Sequence, residues 1–307
     1  MRRLKSSPLQ KNRLVAVSLE ETAPPIWSKL EYLNPSGSIK DRVAQYILNK
    51  ALQNGSLKKG ETVIEASSGS TSIALALVCA ERGLQFIAVM PEGVSPERIM
   101  IIEGFGGRII LTPREKGIWG ALEKAKSEAA KFGYFMTNQF ENPDNPEAHH
   151  YETGPEILSQ IPGARVDAIV SGVGTGGTLL GLYRAFQEKN SRVVPVAAKP
   201  VMLEKIGSEI ECCSFGSHIP GVVEGVSKLY KKELLPGLIE IEIEEKRAIE
   251  TTRRLIRKGF PVGPSSGLNF AAALEAQKIL GPSSIVVTVF PDRMERYFST
   301  GLFDRKS

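Results

Sequence analysis

At 307 residues, with 42% hydrophobic and 24% charged side chains, the chain can bury a large core and is long enough for two domains. No apolar run approaches the ~20 residues that span a bilayer. Met1-Arg2-Arg3-Leu4-Lys5 leads into polar Ser6-Ser7-Pro8 without an apolar signal core, so a cytoplasmic protein with no membrane partner is expected.

The first periodic segment, 41–52, places Val43, Ala44, Ile47, Leu48 and Ala51 on one helical face, with Lys40 at its N-terminus. Short β-branched runs then alternate with longer amphipathic ones: strand 62–65, helix 71–82, strand 85–90, helix 95–104, strand 108–112 and helix 118–132. Such alternation predicts a mostly parallel, twisted sheet flanked by helices. It pauses in the polar stretch Asn138-Gln139-Phe140-Glu141-Asn142-Pro143-Asp144-Asn145-Pro146 and resumes with strands near 166–171, 192–197 and 284–290. Helices are expected over 179–186, over 245–258 with a basic end stopped by Gly259, and over 268–279. The chain therefore reads as an α/β protein of two domains, 1–146 and 147–307, with residues up to about 34 able to pack on the second.

The net charge of +5 comes from Lys and Arg interspersed with Glu, as in Glu244-Glu245-Lys246-Arg247. With no basic stripe carrying interleaved aromatics, this balance speaks against nucleic acid and for solubility and the steering of a small anion. The three cysteines, Cys79, Cys212 and Cys213, and the three histidines, His149, His150 and His218, show no metal-ligand spacing, so neither a metal site nor a disulfide framework is expected.

Lys40 lies in Asn34-Pro35-Ser36-Gly37-Ser38-Ile39-Lys40-Asp41-Arg42, where a lysine at a loop-to-helix boundary can form a Schiff base with an aldehyde cofactor. Taken alone it is a solvated charge. Three turns downstream give it chemistry. Residues 172–178 satisfy G-x-G-x-x-G through Gly172, Gly174 and Gly177 between a strand and a helix, where backbone N–H groups and the helix dipole cradle a phosphate. A dinucleotide site would add an acid about 20 residues on; here that place reads Val196-Ala197-Ala198-Lys199, which favours a lone phosphate, with a dinucleotide whose 2′-phosphate meets Lys199 or a plain tight turn as the alternatives. Ser67-Ser68-Gly69-Ser70-Thr71 opens a helix after a strand, either as a plain N-cap or as a carboxylate-capturing turn. Gly263-Pro264-Ser265-Ser266-Gly267 opens another, as a capped start or as the source of a neutral hydroxyl for a ring nitrogen.

Together these residues resemble the fold type II pyridoxal-phosphate enzymes, and within them the cysteine synthase and cystathionine β-synthase family, over nearly the whole chain. The Lys40 segment is similar to that family's Schiff-base segment. Gln139-Phe140-x-Asn142-Pro143-x-Asn145-x-x-x-His149-x-x-x-Thr153-Gly154-Pro155-Glu156 is a second, long match, and Pro291-Asp292-Arg293-Met294-Glu295-Arg296-Tyr297 resembles the family's last motif, near the cofactor. The resemblance implies a two-domain fold type II architecture, pyridoxal 5′-phosphate as cofactor, and a homodimer. By it, Lys40 binds the cofactor aldehyde and serves as acid and base at the substrate α-carbon. Gly174, Thr175, Gly176, Gly177 and Thr178 hold the phosphate, and Ser265 faces the pyridine nitrogen. Ser67, Ser68, Gly69, Thr71 and Gln139 hold the substrate carboxylate.

The sequence also departs from the family pattern. Ser70 stands where an asparagine usually contacts the cofactor's ring oxygen, and Ser72 where glycine is usual. The Gly-Asn-Thr-Pro-Leu start is absent before Leu30, and Lys199 replaces a common glutamate. Gly221-Val222-Val223-Glu224-Gly225-Val226 resembles the loop that closes on substrate, with Gly221 and Glu224 at substrate-binding positions, but Glu224 replaces a small residue. Its carboxylate repels an anionic substrate tail, attracts a cationic or hydroxyl-bearing one, or is simply solvated.

The implied reaction is β-replacement on an L-serine derivative (O-acetylserine, O-phosphoserine or serine) through an α-aminoacrylate. Sulfide or a thiol is the nucleophile, giving cysteine or a thioether amino acid. A serine or threonine ammonia-lyase on the same fold is the nearest alternative, although its usual Ser-Phe-Lys and Gly-Asn-His sequences are absent. A non-catalytic binding or regulatory protein is the alternative from another class.

Overall fold

The computed structural model describes residues 11–21, 23–201 and 226–303. Two short strands come first, β1 (Leu14–Val17) and β2 (Ile26–Lys29), paired antiparallel with Leu14 opposite Lys29. Helix α1 (Lys40–Gln53) follows, then the alternation expected from the sequence: β3 (Thr62–Ala66), α2 (Ser70–Arg82), β4 (Gln85–Pro91), α3 (Pro96–Gly104), β5 (Arg108–Thr112), α4 (Gly117–Phe132) and β6 (Phe135–Met136). Short helices α5 (Asp144–Ala148) and α6 (Gly154–Leu158) flank a π-helical turn, His149–Thr153. The chain continues with β7 (Ala168–Gly172), α7 (Gly177–Gln187), β8 (Val194–Val201), β9 (Ile239–Glu244), α8 (Glu245–Arg257), α9 (Pro264–Leu280) and β10 (Val286–Val289).

The strands form two sheets. One runs β5-β4-β3-β6, all parallel; the other runs β1-β2-β10-β7-β8-β9, parallel except for the β1–β2 pair. Their central strands are covered on both faces, which is why those strands read as nearly continuous apolar runs. In the four-stranded sheet Val63, Phe86, Ala88 and Met90 face α1 and α2, whereas Ile64, Ala66, Ile87 and Val89 face α4. In the six-stranded sheet Ala168, Val170 and Val286 pack with α8 and α9, and the alternate residues Ile169, Val287 and Val289 pack with α7.

Several elements lie outside the sequence expectation. Strands β1 and β2 are only four residues each, and β2 ends in Lys29, fully buried because its ammonium meets Glu156 at 2.8 Å. Strand β9 alternates Ile with Glu, an edge pattern with one face wet. Helix α9 begins at Pro264, so Ser265 belongs to its first turn. Among the described residues no helix is long and apolar enough to cross a membrane.

Candidate active site

Lys40 is the first residue of α1, and the loop before it is fixed from the other end of the chain. Ile39 N–H donates to Pro291 O at 2.8 Å, Arg296 Nη1 donates to Gly37 O at 2.6 Å, and Ser38 bridges Asp292. Gly37 has a left-handed φ of +80°, and a Cβ there would lie 2.9 Å from Arg293 Cδ. Behind α1, Arg42 grips Glu31 with two nitrogens, at 3.0 and 2.9 Å, and Glu156 with the third at 2.7 Å. Desolvation pulls the Lys40 ammonium down to about 8, and the carboxylate of Asp292 partly opposes that fall.

The pocket that Lys40 lines is closed opposite by the turn between β7 and α7, where Gly174, Thr175, Gly176 and Thr178 all face it. Gly176 takes a left-handed φ of +79° against Tyr230. Gly177 is not among the lining residues, because its Cα packs on Asn145; a Cβ there would lie 2.0 Å from Asn145 Oδ1. The Asn145 amide donates to Thr175 Oγ1 at 2.9 Å and to Gln139 O at 2.8 Å. A glycine turn feeding the N-terminus of an eleven-residue helix supplies backbone donors and a positive dipole end to an anion.

Ser265 and Ser70 border the same pocket. Ser70 Oγ donates to Asp292 Oδ2 at 3.3 Å, and Tyr297 O–H donates to the same oxygen at 2.7 Å. The remaining residues expected from the sequence to bind substrate stand just beyond, at the opening of α2. Gly69 has φ +145° and packs on Arg98, whose Cδ would be 2.3 Å from a Cβ at that position. Thr71 Oγ1 donates to Gln139 Oε1 at 2.6 Å, and Gln139 Nε2 donates to Ala66 O at 2.7 Å. Ser67 Oγ accepts from the N–H groups of Gly69 and Ser72, at 3.1 and 3.2 Å, and lies 2.6 Å from Ser72 Oγ. With both lone pairs occupied, its proton goes to Ser72, so Ser67 has no free donor. Ser68, between Ser67 and Gly69, is half-buried. Gly221 and Glu224 lie outside the described residues, as do Cys212, Cys213 and His218.

Three participants were not singled out from the sequence. Asn269 lines the pocket, accepts from Gly172 N–H at 2.7 Å and donates to Val289 O at 3.0 Å, joining α9 to the ends of β7 and β10. Its signal was a lone polar side chain in the apolar run Leu268-Asn269-Phe270-Ala271. Asp292 sits inside the motif read at the C-terminal end but had no role of its own. Glu65, buried in the middle of β3, accepts from Gln139 N–H at 3.1 Å and from the Thr137 hydroxyl; burial pushes its carboxyl up to about 7 against those bonds. Among the described residues no cluster of His, Cys, Asp or Glu could hold a metal.

A desolvated lysine, a glycine cradle that side chains would fill, and a serine hydroxyl, all on one pocket, form a donor set suited to an aldehyde, a phosphate and a neutral ring nitrogen. The comparisons with known proteins agree. Residues 6–292 match the family described as pyridoxal-phosphate dependent enzymes, and the chain belongs to that family. It is 38% identical to a cysteine synthase of Staphylococcus aureus over 93% of this chain and 91% of the relative. It is 39% identical to cysteine synthase B of Campylobacter jejuni over 91% of each. Among solved structures, an O-acetylserine dependent cystathionine β-synthase from Helicobacter pylori superposes with a TM-score of 0.85 at 33% identity, covering 96% of each chain. An O-ureido-L-serine synthase gives a TM-score of 0.84 at 33% identity, covering 97% of this chain and 93% of that one. The protein is a pyridoxal-phosphate dependent enzyme of fold type II and of the cysteine synthase type, with pyridoxal 5′-phosphate as its cofactor.

Proposed function

We propose that this enzyme replaces the β-substituent of an L-serine derivative (O-acetylserine, O-phosphoserine or serine) with sulfide or a thiol. The observation that carries the reading is the meeting of Lys40, the 174–178 turn and Ser265 on one pocket, beside the helix opening that carries Ser68 and Thr71. The bound cofactor supplies an electron sink for charge that develops at the substrate α-carbon.

In this assignment Lys40 would hold the cofactor through its aldehyde, and its amine would take and return the proton at the substrate α-carbon. With a pKa near 8 rather than the 10.5 of a solvated lysine, a useful fraction of the amine is neutral close to pH 7. Gly174, Thr175, Gly176, Gly177 and Thr178 hold the phosphate. The neutral hydroxyl of Ser265 leaves the ring nitrogen unprotonated, which favours loss of a β-substituent over transamination. The substrate carboxylate is taken by the first-turn N–H groups of α2, that of Thr71 among them, with the Ser68 hydroxyl, while Gln139 accepts the Thr71 hydroxyl proton and fixes the turn. Ser67 and Gly69 shape that turn, and Ser70, hydrogen-bonded to Asp292 on the pocket wall, would border the cofactor ring. Gly221 and Glu224 are assigned to the closing loop from the sequence alone. The same reading divides the chain near residue 146 into two units that close on the substrate.

The test is product analysis of the holoenzyme with each donor, with and without sulfide. Cysteine formed from one donor, and lost in Lys40→Ala, is the expected result. Pyruvate formed equally with and without sulfide would replace this reading with an ammonia-lyase. No turnover of any donor would leave a binding protein.

A further inference from the structure

The second sequence match, 139–156, holds residues to which the reaction gives no task, and two of them reach the 174–178 turn: Asn145 at Thr175 and His149 at Thr178. His149 is fully buried in the π-helical turn, with Nδ1 3.0 Å from Thr153 Oγ1 and Nε2 3.2 Å from Thr178 Oγ1. The approach depends on Gly181, one turn along α7 from Thr178: a Cβ there would lie 2.7 Å from His149 Cβ and 2.2 Å from Pro146 O. Gly154 packs likewise on Ala185, so both ends of the π-helical turn lie tight against α7. Burial first, and then the positive charge of Lys40, pull the imidazole down to about 3, so the ring is neutral in use.

A neutral imidazole has one donor and one acceptor nitrogen, and a threonine hydroxyl has one proton. If Thr178 gave that proton to His149, none would remain for an anion in the pocket that Thr178 lines. A hydrogen bond to an ionised oxygen is roughly twice as strong as one between neutral groups. The phosphate therefore takes the Thr178 proton, Nε2 must carry the imidazole hydrogen, and Thr153 must donate to Nδ1. We infer that His149 is a positioning residue of the phosphate cradle: as the Nε2–H tautomer it donates to Thr178 Oγ1 and so turns the Thr178 hydroxyl proton toward the cofactor phosphate. Asn145 does the corresponding task for Thr175, whose Oγ1 accepts from its amide. The 139–156 segment is thus the backing that sets hydroxyl directions across the turn.

The inference rests on the 174–178 turn being the phosphate cradle, and the test separates the two. Protein freed of cofactor is titrated with pyridoxal 5′-phosphate and with pyridoxal, which lacks the phosphate. His149→Phe is expected to weaken binding of the phosphorylated ligand about tenfold, the loss of one charge-linked hydrogen bond, and to leave pyridoxal binding unchanged. His149→Gln, whose side-chain Nε2–H replaces the ring donor, is expected to recover most of that loss. In the 15N-labelled holoenzyme only three histidines contribute imidazole signals, and His149→Gln identifies the one concerned; it is expected to be protonated at Nε2 alone. An Nδ1–H tautomer, or equal losses for both ligands in His149→Phe, would overturn the inference while Thr178→Val still weakened phosphate-dependent binding. Thr178→Val without effect on the ratio of the two affinities would instead remove the cradle assignment and the inference with it.

Discussion

Ser67 Oγ and Ser72 Oγ are 2.6 Å apart across the opening of α2, and this bond closes a small internal network at the place proposed to take the substrate carboxylate. Replacing Ser72 by Gly or Ala frees the Ser67 proton. Ser72→Ala is expected to lower the KM for the amino-acid donor about fivefold with little change in kcat, since a hydroxyl donor is returned to the carboxylate site. The same change should cost about 1 kcal/mol of folding stability in urea denaturation. An unchanged KM would mean that Ser67 stays out of reach of the substrate.

The βαβ alternation was legible because the central strands of both sheets are buried on both faces, so each strand and helix carries its own periodic signal. Lys40, the 174–178 turn and Ser265, which meet on one pocket, could be picked out because glycine- and hydroxyl-rich turns beside strands and helices are where backbone donors can bind an anion. What did not show was packing between distant segments. Nothing near Lys29 announces that Glu156 will neutralise it, and Ser67 reads as a free hydroxyl until Ser72 is seen beside it. The π-helical turn is invisible too, because His149 to Thr153 carry no pattern that separates them from an ordinary helix.

Glu65 links the Gln139 segment to pH. Its folded pKa of about 7 lies above the 4.5 of an exposed glutamate, so between those values the folded state binds the proton that the unfolded state has released. The contribution of Glu65 to stability should therefore fall as pH rises from 4.5 to 7 and stay flat above, by about 3 kcal/mol in all. Glu65→Gln removes that titration, but turns an amide N–H₂ toward one of the backbone donors now served by the carboxylate. The variant is expected to be less stable than the parent at pH 5, with the gap narrowing or reversing by pH 8. Parallel curves of unfolding free energy against pH would show that Glu65 does not titrate in this window.

The Lys40 amine offers a kinetic readout of its surroundings. Only the neutral amine attacks the cofactor aldehyde, so the capture rate in cofactor-free protein should rise with pH to a midpoint near 8. Asp292 raises the Lys40 pKa by its charge, so Asp292→Asn is expected to move that midpoint down and to speed capture at pH 7. Stopped-flow absorbance over pH 6 to 10 measures both. A midpoint near 10 in the parent would mean that the amine is solvated.

The buried charges behind α1 form a balanced set: Lys29 and Arg42 against Glu31 and Glu156, each of them under a tenth exposed. Glu156 serves both cations, at 2.8 Å to Lys29 and 2.7 Å to Arg42, and so joins β2, α1 and α6 just below Lys40. Taking it away leaves Lys29 without its carboxylate in a site where burial already lowers the ammonium pKa. Glu156→Ala should cost about 3–5 kcal/mol, the usual result of stranding a buried charge. Adding Lys29→Met should return a large part of it, because the stranded ammonium is gone and Arg42 keeps its two-nitrogen grip on Glu31. Urea denaturation of the two single variants and the double variant measures that coupling, and simple additivity would mean that Lys29 is stabilised by Asn12 O rather than by Glu156.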